Sequence, residues 1–213
     1  FYGMPLEDYD AYVSGFISRP SLNFTNMKHS EAFYLPMVEV VSYLRSRKFD
    51  VYVVSGTDRQ ILRTLLKGII DPSKCIGAEF EYIASGNKKD DLYYILQEGD
   101  RVCRGHFIRK NTYISKVSNI VREIGRKPVL AFGNTMGDSS MLNYAVFGNK
   151  YKSLAFCLIA DDNEREFANQ RLESSMKDAC RRYGWIPVSM KNDFKTIYGE
   201  NVRRIDPSRK IWK

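Results

Sequence analysis

Residues 53–62 are VVSGTDRQIL, an apolar β-branched run that passes through a serine–glycine turn into an amphipathic segment. The composition and length of residues 49–54 predict a short strand buried on both faces. A helix is predicted from about Asp58, with an apolar side formed by Ile61, Leu62, Leu65 and Leu66. A strand that leads directly into a helix is the repeating unit of an α/β fold with a parallel sheet. For function, the question is whether Ser55 caps this helix or holds a ligand at the end of the strand.

The chain on either side supports the same fold class. Apolar residues at helical spacing predict helices over residues 6–19 and from Pro36 onward. Residues 76–108, rich in Gly, Asn and Asp turns, predict an antiparallel hairpin excursion from the sheet. The alternation then resumes with a helix capped by Ser115 and ended by Gly125. Strands over 128–132 and 153–160 and a helix over 163–183 follow, and the last thirty residues, with Trp185 and Trp212, are expected to cover the surface.

Composition narrows the class of protein. The chain has 213 residues, of which 44% are hydrophobic and 27% charged, as expected of one globular domain or of a core with a small accessory piece. No apolar run approaches the roughly 20 residues of a membrane helix, so no membrane partner is expected. No signal peptide is visible at the start. Four well-separated cysteines favour a reducing, cytoplasmic location, and the two histidines lack neighbours at zinc-ligand spacing.

The formal charge of +8 indicates an anionic partner. Neither the aromatic–glycine signature of an RNA-binding sheet nor a zinc finger is present, and the basic residues are scattered apart from the terminal VRRIDPSRKIWK. Nucleic acid is therefore not the expected partner. A small phosphorylated metabolite would satisfy the same charge.

Two predicted strands end in loops that could carry chemistry, VVSGT and AFGNTMGDSS. Ligands of open α/β sheets bind outside the carboxyl ends of the strands. The second loop places Asn134 and Asp138 four residues apart, and both offer the oxygen ligands that Mg²⁺ prefers. Gly133 and Gly137 would let the backbone turn and approach a ligand closely. The same residue types also serve commonly as turn and cap residues, so this alternative stays open.

The order of these features resembles the haloacid dehalogenase (HAD) superfamily, over about residues 36–148. Ser55 in VVSGT matches its second motif, and Lys116 in ISKVSNIV matches its third, a lysine at a helix start. Asn134 and Asp138 in AFGNTMGDSSML match the fourth, normally G-D-x-x-x-D. The trailing SSML is similar to the phosphoserine-phosphatase branch. The resemblance implies a Rossmann-like α/β core over residues 36–213 and a partial helical cap over residues 1–35.

The resemblance also implies a function: Mg²⁺-dependent hydrolysis of a small phosphomonoester through an aspartyl-phosphate intermediate. The Ser55 hydroxyl and the Gly56 N–H would bind a phosphoryl oxygen, and Lys116 would neutralise the phosphate and the nucleophile. Asn134 would bind Mg²⁺ directly and Asp138 through water. The substrate would be a phosphorylated amino acid, an aminoalcohol phosphate or another small metabolite.

Two departures from the family pattern matter. Asn134 stands where an aspartate is usual, which removes one negative charge from the metal site. The first motif, D-x-D after an apolar strand, has only Asp8 and Asp10 as candidates, and they lie in a helical pattern. We therefore expect the catalytic aspartates upstream of Phe1, a full-length parent that is active, and no turnover by this chain alone. The alternative is a catalytically inactive HAD-like binding module.

Several further residues keep two interpretations. Thr57 or Asp58 is expected to cap the helix that follows Ser55. Lys110 competes with Lys116 for the phosphate, but Lys116 is favoured because it lies in the first turn of a helix. Asp161 and Asp162 either orient metal ligands or begin the next helix. Lys191, Asn192 and Asp193 are candidate pocket residues.

Overall fold

A computed structural model describes residues 1–89 and 91–205 of the chain. The helices are α1 (Leu6–Ile17), α2 (Leu35–Ser46), α3 (Arg59–Leu65), α4 (Ile114–Ile124), α5 (Ser139–Val146) and α6 (Gln170–Tyr183). The strands are β1 (Val53–Asp58), β2 (Cys75–Ala84), β3 (Val102–Arg109), β4 (Leu130–Gly133), β5 (Leu154–Ile159) and β6 (Ile186–Ser189). Contacts divide the chain into two compact units. Unit 1 comprises Phe1–Arg19 and Tyr52–Asn111, and unit 2 comprises Pro20–Val51 and the chain from Thr112 onward.

Unit 1 is built on a three-stranded sheet in the order β1-β2-β3. β1 is parallel to β2, with Val53 opposite Cys75, and β2 pairs with β3 as an antiparallel hairpin. The predicted hairpin is therefore confirmed, although its first strand also belongs to the parallel pair. Helices α1 and α3 pack together in this unit, and its buried residues include Val13, Leu62 and Ile76.

Strand β1 corrects one boundary of the sequence prediction. The strand runs from Val53 to Asp58 rather than over residues 49–54. It stays extended beyond the apolar run because Asp58 still pairs with Ala78 of β2, with an irregular register after Val54. Ser55 and Gly56 consequently lie inside the strand rather than in a turn after it.

Unit 2 contains a fully parallel three-stranded sheet in the order β4-β5-β6. β4 and β5 pair in unbroken register from Leu130 opposite Leu154 to Gly133 opposite Cys157. α5 and α6 pack against this sheet. Their shared core contains Leu142, Ala145, Cys157, Ile159, Met176 and Trp185.

The end of the described chain contributes to the core of unit 2, contrary to the sequence prediction of a surface covering. β6 was not predicted, and Trp185 just before it is only 3% exposed rather than at the surface. Met190, Phe194 and Ile197 are also buried and form a second cluster with Leu158. Trp212 and most of the terminal basic cluster lie outside the described residues.

Helix boundaries in unit 2 follow local cap chemistry. Gly125 and Gly184 end α4 and α6 in the left-handed conformation, as predicted. α6 begins seven residues later than predicted, because the Asn169 side chain accepts the N–H of Leu172 and caps the helix there. Ser115 is not the cap of α4, since it lies inside a helix that begins at Ile114 and follows Tyr113.

The architecture is α/β, with parallel and mixed sheets flanked by helices, and is consistent with a Rossmann-like fold. The predicted division at residue 35 stays a prediction. Within the part of the chain that the structure describes, every helix is too short or too polar to cross a membrane.

Candidate functional site

Ser55 does not cap α3. Its hydroxyl lies 3.2 Å from both the N–H and the hydroxyl of Thr57, so its partners lie within β1 itself. The helix cap is Asp58, whose Oδ1 accepts the N–H of Gln60 at 2.8 Å, which decides between the two predicted cap residues. Gly56 beside Ser55 is exposed. The Ser55 hydroxyl therefore lies near the end of β1 and bonds Thr57 rather than the first turn of the helix.

Asn111 fixes the backbone at Ser55 and was not predicted from the sequence. Its side chain is fully buried, and its Nδ2 donates to the carbonyl of Ser55 at 2.8 Å and to that of Ile76 at 3.0 Å. These two bonds connect β1 to β2 just where the sheet register becomes irregular. No local pattern around residue 111 signals this role, because both partners are distant in sequence.

Asp58 is also the centre of a buried polar cluster in unit 1. Its Oδ2 accepts the guanidinium of Arg104 at 3.0 Å and the hydroxyl of Tyr9 at 3.1 Å. The Arg104 guanidinium lies 3.4 Å from the centroid of the Phe80 ring. Burial, together with the Asp58 carboxylate, raises the pKa of Tyr9 to about 12. All these charges are paired within the unit, so the cluster is structural.

Asp8 and Asp10, the D-x-D candidates, lie on α1 and have separate partners. Asp8 forms a surface ion pair with Arg101 at 2.9 Å. Asp10 accepts the side-chain amide of Gln60 at 2.8 Å and the hydroxyl of Thr64 at 3.2 Å. The two carboxylates thus fasten α1 to other elements of unit 1, as expected of helix residues rather than of a catalytic pair at a strand end.

Lys116 and Asp138 meet in unit 2. The ammonium of Lys116 donates to Asp138 Oδ1 at 2.6 Å, and each side chain is only 9% exposed. The other oxygen, Oδ2, accepts the N–H groups of Asn134 and Thr135 at 3.0 and 3.2 Å. Two residues that the sequence singled out in different segments thereby form one buried, hydrogen-bonded ion pair. Lys110, the rival candidate, is exposed in unit 1.

The loop after β4 is shaped around Asp138. A Cβ at Gly133 would lie 2.5 Å from the Cβ of Asp138, so only glycine allows the carboxylate to pack against the strand end. A Cβ at Gly137 would meet the Thr135 hydroxyl at 3.2 Å, a milder contact. Neither glycine has a positive φ, so close approach rather than turn geometry explains Gly133. Asn134 is exposed on the same loop.

These positions limit how a divalent cation can bind. The exposed Asn134 offers an amide oxygen, which suits Mg²⁺. Asp138 already uses Oδ1 for Lys116 and Oδ2 for backbone donors, so its fit is to a water of the ion rather than to the ion itself. Among the described residues, no group of three or more His, Cys, Asp or Glu is arranged to hold a metal. Further oxygens would have to come from water, phosphate or another aspartate.

Asp161 and Asp162 organise the end of β5 instead of starting α6. Asp162 is 3% exposed and pairs with Arg165 at 2.6 Å. Burial opposes its ionisation, yet the backbone and side-chain donors of Arg165 hold the pKa of Asp162 below its ordinary value. Asp161 accepts the hydroxyl of Ser189 at 2.6 Å and the N–H of Lys191. Asp161 therefore joins the end of β5 to β6 and to Lys191, whereas Asp162 fixes Arg165.

Lys191 lines an open cavity of about 800 Å³ together with Asp161, Glu164, Arg165 and Arg204, whereas Asn192 and Asp193, the other two predicted pocket residues, do not line it. Lys116, Asn134 and Asp138 are not among the lining residues. The Arg165 guanidinium donates to the backbone carbonyls of Met190 and Phe194. Because its donors are used in this way, Arg165 holds the segment after β6 in place rather than offering a free charge.

The fold and these contacts define an α/β protein with polar loops after its strands. No protein-family model matches the chain, and no curated protein matches it.

Proposed function

We propose that the chain is the core of a Mg²⁺-dependent phosphomonoesterase of the HAD superfamily, of the phosphoserine-phosphatase-like branch. The observation that carries the proposal is the Lys116–Asp138 ion pair, 2.6 Å long and 9% exposed at both side chains. The third and fourth motifs of that superfamily are a lysine at a helix start and a carboxylate after a strand. In this chain the two residues that match them are in contact, with the carboxylate held by backbone N–H groups of its loop.

Each residue would then act on a phosphate ester at a defined atom. The Ser55 hydroxyl and the Gly56 N–H would donate to a non-bridging phosphoryl oxygen, which gains charge in the transition state. The Lys116 ammonium would neutralise charge on the phosphate, while Asp138 holds that ammonium in a fixed position. Asn134 would bind Mg²⁺ through its amide oxygen, and the cation would supply positive charge to the phosphoryl group.

The nucleophile is proposed to be an aspartate outside these 213 residues, since Asp8 and Asp10 are engaged on α1. Its carboxylate oxygen would attack phosphorus and release the alcohol, and water would then cleave the aspartyl phosphate to inorganic phosphate. This chain alone is therefore expected to bind phosphate without turnover. The substrate is proposed to be a small phosphorylated metabolite, such as a phosphorylated amino acid or an aminoalcohol phosphate.

The test is hydrolysis of p-nitrophenyl phosphate with Mg²⁺ by a protein that includes the sequence upstream of Phe1. We expect Lys116→Met and Ser55→Ala to lower kcat by about 10²- to 10³-fold, as removal of a transition-state donor does elsewhere. Lys110→Met is the matched control and should retain the parent rate. No hydrolysis by the parent, or equal rates in all variants, would exclude the enzyme.

A catalytically silent binding module is the second candidate, and one observation favours it. Both oxygens of Asp138 already have protein donors, so the loop is stable without a cation or substrate. If the longer protein lacks a D-x-D strand, yet binds inorganic phosphate in a way that depends on Lys116, this alternative replaces the enzyme.

A further inference from the structure

Tyr113 combines a left-handed backbone with an exposed aromatic ring. Its φ is 51° and its ψ is −127°, immediately before the first residue of α4. Bulky L-residues rarely adopt positive φ, because Cβ crowds the neighbouring backbone. The residue is 57% exposed. The unfavourable backbone is therefore not explained by deep burial of the ring in the core.

The surrounding hydrogen bonds hold Tyr113 in this conformation. Its N–H donates to the carbonyl of Gly137 at 2.9 Å, and its own carbonyl accepts the N–H of Lys116 at 3.1 Å. The first bond joins the start of α4 to the loop that carries Asp138, and the Lys116–Asp138 ion pair joins the same two segments. A strained residue persists where its surroundings fix it in this way, and such residues cluster at functional sites.

Exposed apolar residues therefore precede Lys116 in the chain, and the backbone of the first of them is hydrogen-bonded to the loop that carries Asp138. Ile114, the next residue, is 65% exposed, and Lys116 follows two residues later. A site that binds only phosphate needs donors and cations, which Lys116 and the loop supply. An exposed ring and an exposed aliphatic side chain are suited instead to an organic group attached to the phosphate.

We propose that Tyr113 is a substrate-contacting residue that selects phosphomonoesters whose leaving group carries an aromatic or other apolar body. The proposal rests on the phosphate-binding role proposed above for Lys116 and goes further by naming the class of leaving group. Among the substrates proposed above, it favours an ester with such a body over compact aminoalcohol or polyol phosphates, which would gain nothing from the ring. It also gives a reason for a tyrosine at a backbone position that glycine fits better.

The test measures two properties of the 213-residue chain and of Tyr113→Phe, Tyr113→Ala and Tyr113→Gly. The first is the affinity for inorganic phosphate and for phenyl phosphate, titrated by NMR in the presence of Mg²⁺. We expect phenyl phosphate to bind the unsubstituted 213-residue chain and Tyr113→Phe about 3- to 10-fold more tightly than it binds Tyr113→Ala and Tyr113→Gly, the range typical of an aromatic contact. The affinity for inorganic phosphate should be equal in all four proteins.

The second property is the melting temperature, which tests the backbone argument separately. Tyr113→Gly and Tyr113→Ala lose the same ring, but only glycine adopts positive φ without strain. We expect the Gly variant to melt at least about 2 °C above the Ala variant. A merely structural Tyr113 would show this difference without any change in phenyl phosphate affinity.

The outcomes separate the two proposals. If phosphate binds through Lys116 but the Ala and Gly variants bind phenyl phosphate as tightly as the unsubstituted 213-residue chain does, Tyr113 does not contact the substrate and the inference is wrong. If the unsubstituted chain binds neither anion, the phosphate role of Lys116 fails and the inference fails with it. If the Ala variant is as stable as the Gly variant, the strain argument is refuted.

Discussion

Lys116→Met should destabilise unit 2 far more than a typical lysine substitution. The Lys116–Asp138 pair is 9% exposed at both side chains, and removing one partner of a buried ion pair costs about 3–5 kcal/mol. Asp138 keeps the two N–H donors of its loop on Oδ2, which compensate part of the loss. We therefore expect the lower end of the range, a fall of about 3 kcal/mol in the free energy of unfolding.

The assay is urea unfolding followed by the fluorescence of Trp185, which is 3% exposed in the core of unit 2. A Trp212→Phe background makes Trp185 the sole tryptophan, since the chain has two. Lys110→Met is the control, because an exposed lysine should change stability by no more than about 0.5 kcal/mol. The slope with urea should stay constant, so that the midpoint reports stability alone.

A double-mutant cycle with Asp138→Asn isolates the pair. The double variant leaves no uncompensated charge, so its loss should be smaller than the sum of the single losses by about 1–3 kcal/mol. If Lys116→Met costs no more than Lys110→Met, or if the two single losses add, the buried ion pair does not have the importance that the structure gives it.

Three further outcomes follow from individual contacts. Gly133→Ala, whose methyl would lie 2.5 Å from the Cβ of Asp138, should lower the free energy of unfolding by about 1–3 kcal/mol. Gly137→Ala should stay within about 0.5 kcal/mol of the parent in the same urea titration; equal losses would contradict the packing argument. Asn111→Leu should cost about 2 kcal/mol or more, because two buried carbonyls lose their donor, and an unchanged urea midpoint would show that water replaces the amide. The folded pKa of Asp162 lies below its ordinary value of 3.8, so the carboxylate contributes stability above that ordinary value and loses it as the pH falls through the lower folded pKa. Asp162→Asn should therefore reduce the decrease in the free energy of unfolding as the pH is lowered below about 4. An unchanged decrease would assign the acid sensitivity to other groups.

Local periodicity predicted most of the α/β alternation, because the helices and buried strands carry their apolar spacing within themselves. β6 was not predicted because a segment of four residues, IPVS, is too short to show a strand pattern. It becomes a strand by pairing with β5. The extension of β1 through Ser55 and Gly56 depends similarly on β2. Trp185 was placed wrongly because its burial depends on α5, where Asn143, 42 residues earlier in the chain, accepts the indole N–H.

For the candidate site, residue types were more predictable than their environment. The residues Lys116 and Asp138 could be selected in advance, and their contact is observed. No sequence pattern predicts that the loop itself donates hydrogen bonds to Asp138, and none predicts that residue 133 must be glycine. The positive φ of Tyr113 and the buried amide of Asn111 are likewise set by partners at Gly137, Ser55 and Ile76.

The pairing of Lys116 also bears on how an anion could bind beside it. The ammonium is already neutralised by the Asp138 carboxylate, so an approaching phosphate meets a pair with no net charge. At short range, the attraction between a bound cation and the phosphate exceeds the contribution of a single hydrogen bond. A cation bound at Asn134 would supply that attraction. Inorganic phosphate should therefore bind this chain at least about tenfold more weakly in EDTA than in Mg²⁺, a difference of about 1.4 kcal/mol. Asp138→Asn, which frees the ammonium, should reduce that dependence, whereas equal phosphate affinity with and without Mg²⁺ would show that Lys116 binds the anion without help.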